Sequence, residues 1–325
     1  MRRIKTDKTF DDKVKAFNKQ LFKNLRKLPL ANLEGLRTED DLQEKYHMPA
    51  QIVVDYITHI ESEYKRILAA NEKEMKTLIG EFDDILAGTV ISTPFHEAVT
   101  AAMRYDAIRA KEYPEFIRKH NVKTCCYCHS QSTIVFNKLA DGSIKALFEL
   151  DHKYPKSQYP FLATSFYNLY PICGNCNSSK SDKPSDFELY TETDNLDILS
   201  FGIEDISIAK YWQHNDPAEL KVTVTPLPGQ EALCETYLPM FLIKEVYNMQ
   251  LDIAEELVVK TKIYNDEYKD VLAKNFKSVF SDTSMINRLI IGNYDKPEEM
   301  MMRPTAKFVQ EIARDIGLIP KLPKK

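Results

Sequence analysis

Two pairs of cysteines with the same short spacing constrain the fold of this chain more than any other feature. Cys125 and Cys128 form the first pair, and Cys173 and Cys176 form the second. Two such pairs can close one tetrahedral thiolate site around zinc, with no position left open for catalysis. Zinc binding in small modules contributes roughly 10–16 kcal/mol at neutral pH, which is enough to decide whether a short segment folds. The spacing alone also fits a zinc ribbon that only holds structure or grips a partner.

The other features of the chain indicate an intracellular metal site rather than disulfides. Cys126 and Cys234 stand outside the two pairs, and we interpret the first as a bystander and the second as a buried thiol. No apolar run approaches the ~20 residues that span a bilayer, and the N-terminus lacks the apolar core of a secretory signal. We therefore expect a cytoplasmic protein with no membrane partner, in which paired cysteines bind metal.

The composition predicts a mostly helical protein without a uniformly basic surface. Only nine of the 325 residues are glycine, and the formal net charge of −4 excludes a globally basic nucleic-acid binder. Residues 1–30 nevertheless hold ten Lys and Arg against three Asp. Apolar residues at helical spacing from Phe10 to Leu28 predict a basic amphipathic helix there. Its lysine face could bind phosphate, a partner or a membrane surface, or could simply be solvated while the helix docks; the sequence leaves this open.

The pattern of apolar and turn residues divides the chain into three regions. We predict two or three helices in residues 38–88 and a further helix from Thr93 to about Tyr113. A long helix over residues 238–274, a short strand at 220–224 and a last helix over 304–316 follow. The middle is short, cysteine-rich and aromatic, with a turn at Asp141-Gly142 and a strand at 146–150. The predicted domains are an N-terminal helical region (1–120), a zinc-stapled module (121–187) and a mainly helical C-terminal region (188–325).

Chemically active side chains lie between and beside the cysteine pairs. Asp151 and His152 directly follow the predicted strand. If a helix begins at Cys173, then Cys173 and Cys176 share one face, and Asn177 lies about 100° further round. One helix start can thus give two thiolates to zinc and aim the Asn177 amide at a second site. Lys180 falls on the same face as Asn177.

Six short motifs occur in order: Cys-x-Tyr-Cys, Leu-Asp-His, Pro-Lys-Ser, Asn-Leu, Cys-x-x-Cys-Asn and a following lysine. This run resembles an HNH endonuclease module, the ββα-metal fold, of the subtype with four zinc-binding cysteines. The resemblance covers residues 125–183, roughly a fifth of the chain. The layout, with the module between helical arms, also resembles bacterial HNH proteins of anti-phage and mobile-element systems.

The resemblance implies a role for each matching side chain. Hard oxygen ligands suit Mg²⁺ or Mn²⁺, whereas thiolates suit zinc, so the two metals would occupy separate sites. Two departures stand out: Asn177 replaces the more frequent histidine, and Gln158-Tyr159-Pro160 replaces a glycine pair. The implied roles are His152 as general base, Asp151 and Asn177 as ligands of a catalytic Mg²⁺ or Mn²⁺ ion, Asn168 as the brace that orients His152, Lys180 as a phosphate contact, and Cys125, Cys128, Cys173 and Cys176 as ligands of structural zinc.

The expected function is therefore that of a metal-dependent endonuclease with DNA as its substrate. The same chemistry directed at RNA, and a catalytically silent zinc module that binds nucleic acid or protein, remain open alternatives. HNH modules contact phosphates with little base readout, so the helical flanks would read DNA, form a homodimer or dock an ATPase partner. The remaining histidines lack matching ligand neighbours, and we interpret them as structural: His47, His59, His96, His120, His129 and His214.

Overall fold

The computed structural model describes residues 1–25, 27–120, 122–137, 144–280 and 282–322. The turn predicted at Asp141-Gly142 lies outside the described residues. Helices dominate the described part of the chain, as predicted, and its strands form four two-stranded sheets. No helix within these ranges combines the length and the apolarity that crossing a bilayer requires.

The segment before the first cysteine pair is almost entirely helical. The helices predicted in residues 38–88 are confirmed as α3 to α5, and Asn71 caps α5 by accepting a hydrogen bond from the Glu74 amide. The single helix predicted from Thr93 to Tyr113 is wrong. Arg104 adopts a left-handed conformation (φ 63°), a π-helical turn occupies Ile108–Glu112, and the chain then continues through Pro114. The helices are α1 Lys8–Leu25, α2 Lys27–Arg37, α3 Leu42–Tyr46, α4 Ala50–Ala69, α5 Glu72–Leu86, α6 Thr93–Ala102, α7 Tyr105–Ala107 and α8 Tyr113–Lys119.

The predicted N-terminal amphipathic helix is confirmed as α1, and its apolar face is docked on the molecule. Val14 and Leu21 are buried. The ring of Phe17 packs edge-on against Phe116 and Phe166, with centroid distances of 5.5 and 5.6 Å. Phosphate binding by the lysines of α1 stays a prediction.

A unit of two strands and one helix contains Asp151 and His152 together with the second cysteine pair. Strands β4 and β5 pair antiparallel, with Asp151 opposite Tyr170 and His152 opposite Leu169. The strand predicted at 146–150 is split at Phe148 into β3 and β4, and the helix predicted from Cys173 is confirmed as α9. The strands are β1 Ile4–Lys5, β2 Ile134–Asn137, β3 Ile144–Leu147, β4 Glu149–His152, β5 Leu169–Ile172, β6 Tyr190–Thr191, β7 Leu199–Ile203 and β8 Val222–Pro226, and α9 spans Gly174–Lys180.

The C-terminal part is helical around one hairpin of strands. The strand predicted at 220–224 is confirmed as β8, shifted by two residues, and its partner β7 was not predicted. The long helix over 238–274 is wrong because it is broken at Leu242 (φ 50°), near Gln250 and at Asn265, which caps a new helix. The last helix is confirmed, and Gly317 (φ 75°) follows its end. These helices are α10 Asp205–His214, α11 Glu231–Met240, α12 Ile243–Asn248, α13 Leu251–Ile263, α14 Asp266–Asn275, α15 Thr283–Ile291 and α16 Ala306–Asp315.

Backbone and hydroxyl hydrogen bonds fasten the first cysteine pair to the C-terminal part. The Tyr247 hydroxyl donates to the Cys128 carbonyl at 2.8 Å, and the Tyr237 hydroxyl donates to the Tyr127 carbonyl at 2.5 Å. The Thr305 amide donates to the His129 carbonyl at 2.8 Å. Residues far apart in sequence therefore hold this cysteine loop in place, while the division into three domains stays a prediction.

Candidate metal centre and adjoining cleft

The two cysteine pairs converge on one buried point. The Sγ atoms of Cys125, Cys128, Cys173 and Cys176 all lie within 4.8 Å of one another. The Sγ atoms of Cys128 and Cys173 are 3.9 Å apart. A tetrahedral zinc site with Zn–S bonds of ~2.3 Å has S–S edges of about 3.8 Å. The four thiolates therefore match zinc in distance, in number and in ligand chemistry.

Local backbone geometry aims each pair at this point. After Cys128 the chain turns at His129 (φ 52°), whose amide donates to the Cys125 carbonyl at 2.9 Å. Cys173 stands at the N-terminus of α9, and its Sγ accepts a hydrogen bond from the Cys176 amide at 3.5 Å. Free amides at a helix start stabilise negative charge on a thiolate. The second pair is thus built by the helix and the first pair by a tight turn.

The crowded sulfurs cannot all carry charge without a cation. Burial raises the pKa of the Cys125 thiol, and the hydrogen bond from Cys125 lowers the pKa of Cys128. Zinc supplies the positive charge that allows all four groups to ionise, so its binding releases protons.

A cleft of about 290 Å³ opens beside the cysteine cluster. It is lined by residues of β4 and α9, including Asp151, His152 and Asn177, which the sequence predicted to act together. Residues of α7 and the π-helical turn, Tyr105 and Arg109, line the same cleft. The predicted site residues are therefore adjacent in space, and a distant helical segment completes their surroundings.

His152 is held as a neutral imidazole at the wall of the cleft. Its side chain is largely buried, and its Nε2 lies 3.1 Å from the Ala163 carbonyl oxygen. Because a carbonyl only accepts hydrogen bonds, Nε2 must carry the proton, and Nδ1 is then the proton acceptor of the neutral ring. Burial lowers the pKa of His152 to about 4. The Tyr105 ring packs against the imidazole at a centroid distance of 4.9 Å.

Asn168 stabilises the loop that contains Ala163, the hydrogen-bond partner of His152. Its side chain is fully buried; Oδ1 accepts from the Tyr154 amide at 2.8 Å, and Nδ2 donates to the Tyr154 carbonyl at 3.1 Å and to the Leu162 carbonyl at 3.0 Å. Leu162 directly precedes Ala163, whose carbonyl holds His152. Asn168 is thus linked to the imidazole through this loop, and its role in orienting His152 stays a prediction.

Asp151 already has a cation beside it. The Lys180 ammonium lies 2.9 Å from Oδ1, and the Tyr127 hydroxyl donates to Oδ2 at 2.6 Å. Both side chains of the ion pair are nearly inaccessible, at 2% for Lys180 and 7% for Asp151. Burial raises the pKa of Asp151, although Lys180 and Tyr127 stabilise the ionised form. Lys180 is therefore the internal counter-ion of Asp151, and its predicted contact with phosphate stays a prediction.

Asn177 faces a second carboxylate in the cleft. Its Nδ2 lies 3.4 Å from Oε2 of Glu149, which also lies 3.6 Å from the Arg109 guanidinium. Within the described ranges, the four cysteines are the sole group of three or more His, Cys, Asp or Glu side chains that converge for a metal. Five side chains of these types line the cleft without converging in this way: His96, Glu149, Asp151, His152 and Asp182.

Sequence reasoning missed three residues that shape this site. Tyr127 stands between Cys125 and Cys128, and that position in the Cys-x-Tyr-Cys motif was a usable signal for a role beside the cysteine cluster. Tyr105 and Arg109 had no such signal, because they reach the cleft from helices outside the cysteine segment. Comparison of the chain with protein-family models, curated proteins and solved structures found no match.

Proposed function

We propose that this protein is a metal-dependent endonuclease of the HNH type that hydrolyses phosphodiester bonds in DNA. The observation that carries the proposal is the neutral His152 in a cleft shared with Asp151 and Asn177. The order β4, β5, α9 and the adjoining four-thiolate cluster support it, since they agree with the ββα-metal resemblance of the motifs. A purely structural zinc ribbon has no need of this second set of side chains.

His152 would act as the general base. Its Nε2 proton is bound to the Ala163 carbonyl, so Nδ1 can accept a proton from a water molecule that attacks the phosphorus atom. Burial keeps the imidazole neutral at physiological pH, which is the state a base requires. The Tyr105 ring and the loop braced by Asn168 fix the orientation of the imidazole.

Asp151 and Asn177 would hold the catalytic divalent cation through their side-chain oxygens. Such an ion, Mg²⁺ or Mn²⁺, neutralises charge on the phosphate and stabilises the leaving 3′ oxygen. The Lys180 ammonium is bound to Oδ1 of Asp151, so the divalent cation would share this carboxylate with the ammonium or displace it. Tyr127 links the carboxylate to the cysteine loop and so couples the geometry of the two sites.

One base and one cation cut one strand for each cleft. Cleavage of both strands would need two copies of the chain or two successive nicks. We therefore propose a homodimer, in which the second copy would cut the other strand. An ATPase that docks on the helical flanks is the alternative partner. A role in anti-phage defence rests on the layout of the chain alone.

The test is incubation of the purified protein with supercoiled plasmid, single-stranded DNA and RNA, each with Mg²⁺, Mn²⁺ or EDTA. We expect metal-dependent nicking of the plasmid. His152→Ala should lower the rate by about 10²- to 10⁴-fold, the usual contribution of a general base. His214→Ala is the matched control, because that histidine is half-exposed and pairs with Glu219 away from the cleft.

Zinc content and thermal melting of both variants establish that the fold is kept. Native-like cleavage by His152→Ala would refute the assigned base. Binding of DNA without cleavage under every metal condition would refute the nuclease and leave a silent zinc module. Cleavage of RNA alone would retain the chemistry and change the substrate.

A further inference from the structure

The cleft contains a lysine whose ammonium is already paired with a carboxylate. Lys180 is buried and bound to Asp151 at 2.9 Å, and its Nζ also lies 3.5 Å from the His152 carbonyl. Withdrawing the ammonium would leave Asp151 buried without its counter-ion, which is strongly unfavourable. A side-chain cation for a phosphate in the cleft, in addition to the proposed divalent ion, is therefore sought in another residue.

Arg109 is a cation that can meet this need. Its side chain is about half exposed (49%) and lines the cleft. Its contact is with Glu149 at 3.6 Å, and the Glu149 side chain is itself 42% exposed. Ion pairs this exposed contribute little to stability, so the guanidinium can exchange the carboxylate for another anion at small cost. Arg109 thus differs from Lys180 in two ways: its side chain is more exposed to solvent, and its ion pair is weaker.

The backbone that carries Arg109 is unusual. The segment Ile108–Glu112 is a π-helical turn, a conformation found in well under 1% of residues and frequently at functional sites. Ile108 is buried and anchors the turn, while Arg109 faces the cleft. Tyr105, just before the turn, packs against His152. One short segment therefore holds the imidazole in place and presents a guanidinium beside it.

We propose that Arg109 binds the scissile phosphate of the nucleic acid, in exchange for Glu149. The planar guanidinium matches two phosphate oxygens at once, whereas an ammonium acts only as a point charge. The inference rests on the proposed nuclease function and assigns part of its active site to the helical region that precedes the cysteines. Tyr105 is a positioning residue in the same segment.

The test compares Arg109→Gln and Arg109→Lys with Arg118→Gln, which removes the same charge from an exposed position on α8. Binding of a fluorescent DNA duplex is measured without added Mg²⁺ or Mn²⁺ over a range of salt concentrations, and cleavage is measured under single turnover. We expect Arg109→Gln to reduce the salt slope of binding by about 1. Its cleavage rate should fall about 100-fold, and the lysine variant should recover part of both. Arg118→Gln should match the native protein.

Glu149→Gln separates a phosphate contact from a structural ion pair. It breaks the same pair but keeps the guanidinium, so we expect it to bind duplex, without added Mg²⁺ or Mn²⁺, at least as tightly as the native protein. Equal weakening by Glu149→Gln and Arg109→Gln would overturn the proposal. Native binding and native cleavage by Arg109→Gln would overturn it as well.

The outcomes also separate this proposal from the proposed function. If the native protein cleaves and the Arg109 variants cleave equally well, the assignment of Arg109 alone fails. If the native protein binds duplex in an Arg109-dependent manner but cuts nothing, the phosphate site stands and the nuclease fails. A native protein that neither binds nor cleaves overturns both.

Discussion

The short helix α9 serves two sites that differ in how they are assembled. Its start carries Cys173 and Cys176, whose sulfurs meet the other pair within 4.8 Å. Its next turn carries Asn177 and Lys180, which face the cleft and are already engaged by carboxylates. At the first site, four cysteine sulfurs converge and require only a metal ion to complete the site. At the second, each group has a protein partner drawn from another part of the chain.

This difference shows why one site follows from spacing and the other does not. Four thiolates are held by two short local turns, so the geometry is set within each pair. The cleft also depends on two other segments: Tyr127 donates to Asp151, and Arg109 pairs with Glu149, the carboxylate that Asn177 contacts. Binding at the cleft must exchange existing contacts, whereas binding at the cysteines creates the contacts that hold the segment.

Removing a sulfur ligand should have the largest effect. Cys173→Ser should lose the zinc, because a neutral hydroxyl replaces a thiolate and three ligands remain. With zinc worth roughly 10–16 kcal/mol in small modules, the thermal midpoint and the metal content should fall together. Cys126→Ala is the control: this buried cysteine neighbours the cluster without belonging to it. A Cys173→Ser protein with full zinc content would show that zinc binding does not depend on the four-cysteine site.

Breaking the buried ion pair should have the next largest effect. Lys180→Met leaves Asp151 buried without its counter-ion and should lower the free energy of unfolding by about 3–5 kcal/mol in urea titrations. The double variant Asp151→Asn, Lys180→Met removes both charges and should recover much of this loss. Lys260→Met, in the more exposed pair with Glu256, should change stability little. Equal effects at the two lysines would contradict the role of Lys180 as an internal counter-ion.

The loop brace should rank third. Asn168→Ala removes the partner of two carbonyls and one amide and should cost about 2–3 kcal/mol of stability. Hydrogen exchange gives a local measure, because the Tyr154 amide loses its acceptor and should exchange faster. Zinc content should stay native. Unchanged exchange at Tyr154 would mean that the loop is held by other contacts.

The smallest expected effect concerns the hydrogen bond from Tyr247 to the first cysteine pair. Tyr247→Phe removes the hydroxyl that donates to the Cys128 carbonyl and should lower stability by about 1 kcal/mol. The ring keeps its packing against Phe201 and Phe308 at 4.4 and 4.9 Å. Zinc stoichiometry should stay native while zinc transfer to a chelator becomes faster. An unchanged transfer rate would show that the two local turns alone hold the metal site.

The sequence was sufficient where a signal is local. The cysteine spacing predicted the cluster, and the position of Cys173 predicted the start of α9. The strand was expected to end just before Asp151 and His152, whereas these are the last two residues of β4, so their position was predicted to within two residues. Their roles in catalysis stay predictions.

The sequence was insufficient where backbone breaks or distant contacts decide the structure. Apolar periodicity predicted one helix over 238–274, but Pro239 lacks an amide hydrogen and Leu242 turns left-handed, so the pattern spans several helices. Lys180 was expected to meet phosphate, and its partner Asp151 could not be inferred from helical spacing alone. Arg109 had no motif, since its position follows from the packing of a segment that precedes the cysteines.

The hydrogen bonds from Tyr237 and Tyr247 to the first cysteine loop determine when that loop can become rigid during synthesis. Tyr237 and Tyr247 follow their acceptors, Tyr127 and Cys128, by 110 and 119 residues. During synthesis these hydrogen bonds cannot form until both tyrosines have left the ribosome, although the four cysteines emerge earlier. The metal loop therefore reaches its final rigidity late in translation, and a truncated chain that ends before Tyr237 would display the cleft residues without this support.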